Sequence, residues 1–252
     1  MTFLFVVVLV EVAMKISKSI TNLINAAIYP FFERKSLHVS QAGQDFWVYG
    51  EVFNEMRNGY FIDLGAHDGI YLSNTYILEC KYDWRGICVE ANPASFKLLK
   101  KNRQAVCINA CLDGVEGFAD FAKRGLMGGI IAPDKFNKDG ESCEVVRVKT
   151  QTLNNLLKEM DTPPEIDYLS IDIEGAEESV LKEFNFNDYL FKCITIERPT
   201  DTLKKIFTDN GYILIKEIPF FECFYVHESF FGQYCTNLFD FYSKKYLVMR
   251  WK

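Results

Sequence analysis

The sequence predicts an α/β fold built on a mostly parallel sheet, and three observations carry that prediction. Residues 60–64, Tyr-Phe-Ile-Asp-Leu, form an apolar run broken only by Asp63, and residues 166–171 form a second such run. Runs of this kind are strands buried on both faces. The first run ends in the turn Gly65-Ala66-His67-Asp68-Gly69 and leads into a helical stretch; strand, glycine turn and helix in that order bind nucleotide-like ligands at the carboxyl end of a sheet. Residues 86–90 make the next strand and end in Glu90, 25 positions after Gly65, where an acid hydrogen-bonds ribose hydroxyls in such folds.

The turn narrows the ligand. Gly65 and Gly69 can take positive φ and admit a ligand close to the backbone, and Ser73 or Asn74 is placed to cap a helix over residues 76–80. A dinucleotide fingerprint needs a third glycine where Ile70 stands, and no Gly-Lys-Ser/Thr ending of a phosphate loop occurs. Asp63 and Asp68 would repel a pyrophosphate. They suit a ligand with positive charge and free hydroxyls, a description that S-adenosylmethionine meets with its sulfonium, ammonium and ribose.

Composition sets the outer bounds. A chain of 252 residues, 49% hydrophobic and 15% aromatic, has material for a sizeable core. The net charge of −6 argues against a nucleic-acid backbone as main partner. The eight cysteines show no CxxC pair and no metal-type spacing; several fall in predicted strands, where a reduced thiol packs as a small apolar group.

Along the chain, residues 1–39 read as an apolar and amphipathic helical extension, and residues 40–252 as one domain without repeat or linker. Residues 2–10 are apolar but too short to span a bilayer, which takes about 20 residues, and the basic start of a signal peptide is missing. From 12 to 32 apolar residues recur at helical spacing, which fits a packed helix, a membrane-surface helix or a targeting segment. The expectation is a cytoplasmic protein, with membrane-surface contact through this helix as the alternative. Residues 40–56 form a helix whose Gln44 and Asp45 suit an N-cap with an acidic first turn, or, as part of the resemblance drawn below, an element lying over a cofactor. Pro93 starts a helix to 102 with Lys97, Lys100, Lys101 and Arg103 on or near its exposed face. A third strand covers 105–110, and Leu112 and Asp113 follow it; Asp113-Gly114 is also an ordinary turn pair.

Residues 117–123 and 143–150 alternate like a pair of short strands, joined by a glycine-rich, charged stretch read as a mobile loop near the site. A short helix over 152–160 precedes the run 166–171, which ends in Asp172. Glu174-Gly175 makes a turn, residues 176–184 a helix, and 193–197 a strand ending in Glu197. A helix over 199–210 stops at Gly211, and 212–218 with 221–226 suit an antiparallel edge hairpin. The tail from Ser229 is dense in aromatics, which points to burial against the sheet or a partner.

Three blocks carry a family resemblance. Phe61-Ile62-Asp63-Leu64-Gly65-Ala66-His67-Asp68-Gly69 with Ser73-Asn74-Thr75, then Cys88-Val89-Glu90-Ala91-Asn92-Pro93, then Ile166-Asp167-Tyr168-Leu169-Ser170-Ile171-Asp172-Ile173-Glu174-Gly175-Ala176-Glu177 resemble the FkbM-type S-adenosylmethionine-dependent methyltransferases, over about residues 40–230. The resemblance implies a class I methyltransferase fold: a mostly parallel, Rossmann-like, seven-stranded sheet with helices on both faces and an antiparallel edge hairpin. It also implies methyl transfer, usually to a hydroxyl oxygen. The family pattern often has a lysine two residues before the acid of the third block, where this chain has Ser170.

Resemblance and chemistry together give the expected site. Gln44, Asp63, Gly65, Ala66, His67, Asp68, Gly69, Ser73, Asn74, Glu90, Ala91, Asn92, Leu112, Asp113 and Asp172 are expected around the cofactor. Methyl transfer is an in-line displacement, so catalysis is positioning plus removal of the acceptor proton. Asp172 is the first choice as base, with Glu174 orienting and His67 a further candidate; helix capping is the plain alternative for the two acids. Asp172, Glu174 and Glu197 could also hold Mg²⁺ through oxygen ligands, although no complete metal motif is present. The acceptor is expected to be a small molecule, sugar or glycan, since no Asn/Asp-Pro-Pro-Tyr/Phe loop of amine methylation on nucleic acid follows the strand. A scaffold that keeps the fold without turnover is the alternative from another class. A dehydrogenase is disfavoured by the missing glycine.

Overall fold

The computed structural model describes residues 39–132 and 143–250, with the backbone alone for 126 and 245–250. The expected N-terminal helix, residues 133–142 of the expected mobile loop, the Tyr246 side chain and Trp251 lie outside the described residues.

Seven strands make the main sheet: β1 (Tyr60–Leu64), β2 (Arg85–Val89), β3 (Val106–Ile108), β8 (Glu165–Ile171), β9 (Leu190–Glu197), β10 (Tyr212–Ile218) and β11 (Glu222–His227). Their order is β3-β2-β1-β8-β9-β11-β10. The first five run parallel, while β11 lies antiparallel to β9 and β10 antiparallel to β11. The apolar runs are strands because both faces are covered. Ile62, Leu64, Ile87, Val89, Leu169, Ile171, Ile194 and Ile196 point into one core with Leu153, Leu156 and Leu157 of α4 (Leu153–Glu159), Val180 and Leu181 of α5 (Glu177–Lys182), and Leu203 and Phe207 of α6 (Asp201–Asp209). Residues of the alternate register face the other way, where Trp47 meets Phe224 with ring centroids 5.1 Å apart. This is the class I methyltransferase architecture.

That second face is covered by α1 (Gln44–Phe46), which runs on as π-helical turns over Trp47–Val52, and by α7 (Glu228–Arg250). The expected helix over 40–56 therefore starts later and is wound wider; Ser40 precedes it, held by the Asp45 carboxylate. Part of the aromatic tail is core, namely Tyr234, Phe241 and Tyr242, whereas Phe239 is exposed; Phe230 lies against Phe53, Phe241 against Phe46, and Tyr242 donates to the buried Glu51 at 2.6 Å. A Cβ on Gly50 would meet the Phe241 ring at 2.8 Å, so glycine is what lets α7 approach.

The remaining elements are α2 (Tyr76–Tyr82), α3 (Pro93–Asn102), β4 (Cys111–Leu112), β5 (Gly117–Lys123), a 3₁₀ turn (Gly125–Met127), β6 (Gly129–Ile130) and β7 (Glu144–Gln151). The expected strand pair is present as antiparallel β5 and β7, but it belongs to a second sheet of order β4-β7-β5-β6. Its two-residue strands β4 and β6 are too short to leave a sequence pattern. The third main-sheet strand is likewise shorter than expected, because Asn109 and Ala110 turn away toward β4. Among the described residues the eight cysteines form no disulfide, and four of them are buried. Among the described residues no helix is long and apolar enough to cross a membrane.

Two local expectations need correction. Arg103 is not on an exposed helix face: its backbone is extended after the last turn of α3, which swings the side chain inward, where it is fully buried against Glu79. The N-cap position of α2 is Thr75; Ser73 Oγ still accepts from the Thr75 and Tyr76 amides, but Asn74 turns away and donates to Ser170 Oγ at 3.0 Å.

Candidate active site

Strand order reverses between β1 and β8, and such a switch point opens a crevice at the carboxyl ends of the strands. A cleft of about 290 Å³ lies there. Its floor depends on Gly65: φ is +88° and an added Cβ would sit 1.7 Å from the Asp172 carbonyl oxygen. Only glycine lets the loop after β1 lie flat on the end of β8. The Asp172 amide then donates to Leu64 O, and the Gly65 and Ala66 amides donate to Val89 O, each at 3.0 Å. Those three bonds tie the tips of β1, β2 and β8 together, so Asp63, Glu90 and Asp172 line the same cleft.

Glu90 is nearly buried and accepts from the His67 amide (2.8 Å) and the Asn92 amide (2.7 Å). Both oxygens are thereby oriented, and each keeps a lone pair for a ligand hydroxyl. His67 occupies a positive φ of 50°, the conformation a glycine would take in this loop; its ring lines the cleft and Nδ1 has no hydrogen-bond partner.

Asp63 anchors the floor. It accepts from Thr75 Oγ1 at 2.5 Å; burial pushes its pKa up, opposed by the Arg103 guanidinium. Arg103 donates to Glu79 (2.9 Å), Thr75 Oγ1 (3.0 Å), the Gly69 carbonyl (3.2 Å) and Ser73 Oγ (3.3 Å). One buried guanidinium thus joins the glycine loop, the start of α2 and the acid of β1.

The opposite end of the cleft is acidic. Asp172 Oδ1 is buried with no hydrogen-bond partner. Burial, then Glu197 and Glu174, push its pKa up to about 9. Burial and Glu197 raise Glu174 to about 7, and burial raises Glu222 to about 8 against a hydrogen bond from Gln44. Neither Asp172 nor Glu174 caps α5. No side chain caps this helix at its N-cap position, Ala176; Glu177 instead holds the preceding turn by accepting from the Ile173 and Gly175 amides (3.0 and 2.9 Å), and that turn passes through positive φ at Glu174. Asp172, Glu174 and Glu197 each bring an oxygen within 4.8 Å of the others, the set foreseen for a divalent cation.

The second sheet forms the apolar wall. Phe121 of β5 and Ile130 of β6 cluster with Cys111 and Ala176, and with Leu112 they border the cleft beside Ala91. A flat heterocycle fits between such groups.

Of the expected residues, Gln44, Asp63, Gly65, Ala66, His67, Ser73, Asn74, Glu90, Ala91, Leu112, Asp172 and Glu174 line the cleft. Four do not. Asp68 accepts from the Ile70 and Tyr71 amides, Gly69 is packed under Arg103 and Leu99, Asn92 caps α3 by accepting from the Ala94 amide, and Asp113 serves its own turn and Ser179. Asp45 is spent on Val39 and Ser40. Sequence reasoning missed Phe121 and Ile130 of the second sheet, Arg198 just after β9 and Glu222 of the edge hairpin; a lone acid opening strand β11 was the one available signal.

Residues 63–214 match the model of the methyltransferase FkbM domain. No curated protein matches the chain. Among solved structures, the chain is similar to M. capricolum TrmK in complex with S-adenosyl-homocysteine (13% identity, 76% of this chain and 70% of that one, TM-score 0.39). It is also similar to methyltransferase FkbM from Methylobacillus flagellatus KT (13% identity, 68% and 44%, TM-score 0.42) and to a TehB-like S-adenosylmethionine-dependent methyltransferase from Corynebacterium glutamicum (9% identity, 80% and 94%, TM-score 0.40).

Proposed function

The chain belongs to the FkbM family of S-adenosylmethionine-dependent methyltransferases, and from that membership we propose that it methylates a hydroxyl oxygen of a small molecule, sugar or glycan. One observation carries the reading: Asp172 stands at the carboxyl end of β8 with a buried, unpartnered Oδ1 and a proton affinity far above that of an ordinary carboxylate. A hydroxyl acceptor must lose its proton during transfer, and a base of raised pKa takes it more readily.

The residues present suit the cofactor. Glu90 would take the ribose hydroxyls; Phe121, Ile130 and Leu112 would border the adenine; Asp63 and Asn74, whose Oδ1 has no partner, would face the amino-acid part with Gln44 and Ser73. His67 would bind rather than act as base, since its backbone is part of the loop held by Glu90. Bound there, S-adenosylmethionine supplies an electrophilic methyl group on a sulfonium. Asp172 ionises more readily when a positive charge faces it, and it then receives the acceptor proton at Oδ1 while Glu174 orients the acceptor oxygen.

A scaffold without turnover is the second reading, favoured by Ser170, whose hydroxyl is engaged by Asn74 where relatives often carry a lysine. Calorimetry with S-adenosyl-homocysteine, followed by methyl-release assays on sugar, lipid and amine acceptors, separates the readings. Hydroxyl acceptors turned over support the proposal. Turnover on amines alone refutes the acceptor class, and tight binding without turnover on any acceptor favours the scaffold.

A further inference from the structure

Four carboxylates line the acidic end of the cleft, and among the described residues Arg198 faces Glu197 while Lys216 acts on Glu222. Glu197 and Glu222 are direct partners across the antiparallel pair β9–β11, an arrangement that costs free energy when both are charged. Glu222 is 4% exposed, lines the cleft, and its Oε1 has no hydrogen-bond partner. Asp172 Oδ1 is likewise without a partner, and Asp172, Glu174 and Glu197 bring oxygens within 4.8 Å of one another, a group that Glu222 adjoins through its cross-strand partner Glu197. Arg198 reaches Glu197 Oε1 at 2.7 Å. Capping does not explain the cluster, because no side chain caps α5 at its N-cap position, Ala176. Orphaned, buried carboxylate oxygens aimed into a shared space call for a cation.

We propose that Asp172, Glu174, Glu197 and Glu222 bind one divalent cation. The donors are all hard oxygens with no imidazole or thiolate among them, which selects the Mg²⁺, Mn²⁺ and Ca²⁺ class over Zn²⁺ or Cu²⁺. Four carboxylates leave about two of six octahedral positions open. The site itself stands on geometry alone; its use rests on the methyltransferase reading, in which an ion held through the other Asp172 oxygen would orient the acceptor oxygen at an open position while Oδ1 takes its proton.

The test uses the full chain stripped with EDTA and titrated with Mn²⁺, following the electron paramagnetic resonance of the free ion. The expected result is one Mn²⁺ per chain, displaced by Mg²⁺ or Ca²⁺. Glu222→Gln and Glu197→Gln should each weaken it by about tenfold or more, while Glu165→Gln, on a side chain 68% exposed elsewhere on the surface, leaves it unchanged. Retained binding of S-adenosyl-homocysteine shows that each variant is folded. A protein without a saturable Mn²⁺ site, or with one that neither substitution weakens, overturns the proposal; a cleft built for an ammonium group would behave in that way. Binding of S-adenosyl-homocysteine to the metal-free chain separates the two claims, since its loss in folded protein counts against the methyltransferase reading and its presence without Mn²⁺ binding against the metal site alone.

Discussion

Replacing Arg103 by alanine should be among the most damaging single changes in the domain. The side chain is fully buried, and its partner Glu79 is 12% exposed. Four groups lose their donor: Glu79, Thr75 Oγ1, Ser73 Oγ and the Gly69 carbonyl. Asp63, whose ionisation Arg103 favours, is left as an uncompensated buried acid. Breaking a buried ion pair from one side costs about 3–5 kcal/mol, which for a domain of this size lowers Tm by about 6–20 °C. Because Ser73 and Asp63 line the cleft, the Kd for S-adenosyl-homocysteine should also rise by about tenfold or more, the equivalent of one lost charge-assisted hydrogen bond. Arg103→Lys keeps the charge but not the fork and should recover only part of both losses. Differential scanning fluorimetry and calorimetry read the two effects. A Tm within about 2 °C of wild type, or unchanged cofactor affinity, would refute the role given to this guanidinium.

Two further outcomes follow from the acidic end. Asp172→Asn should keep S-adenosyl-homocysteine binding and lose turnover by about 10²–10⁴-fold, the range of a general base; if calorimetry finds binding lost instead, Asp172 belongs to cofactor recognition. The cofactor-free protein should also lose stability as pH rises. Asp172 and Glu222 hold their protons to about pH 9 and 8 in the folded state, whereas the unfolded chain releases them near pH 4, as ordinary carboxyls do at about that value. Their contribution is complete below the unfolded values and is lost as pH climbs through the folded ones, so Tm should fall between pH 6 and 9. Asp172→Asn should flatten that slope, and a Tm that rises over the interval would contradict the assignment.

What is legible in the sequence follows from what burial demands. A strand covered on both faces must be largely apolar, so the runs ending at Leu64, Val89 and Ile171 announce themselves, and the acids at their tips stand out because only Asp167 is charged besides them. The switch-point rule then brings Asp63, Glu90 and Asp172 together without further information. Arg103 is illegible for the opposite reason: it follows three lysines of a solvated helix, and a single extended residue at the helix end turns it into the core. Asp68, Asn92 and Asp113 were expected at the ligand because short polar residues suit turns and ligands alike, and here local backbone amides claim them. Phe121, Ile130 and Glu222 reach the cleft through strands paired at long range, and no local period encodes where such strands meet.

The central claim is that carboxylates at three strand tips form one pocket selective for a sulfonium nucleoside. Calorimetric titration of the wild-type chain and of Glu90→Gln with S-adenosylmethionine, and of the wild type with NAD⁺, tests it most directly. One S-adenosylmethionine per chain, a Kd at least about tenfold weaker in Glu90→Gln and no NAD⁺ binding are predicted; S-adenosylmethionine binding that ignores the substitution, or a site that accepts the pyrophosphate of NAD⁺, would contradict it.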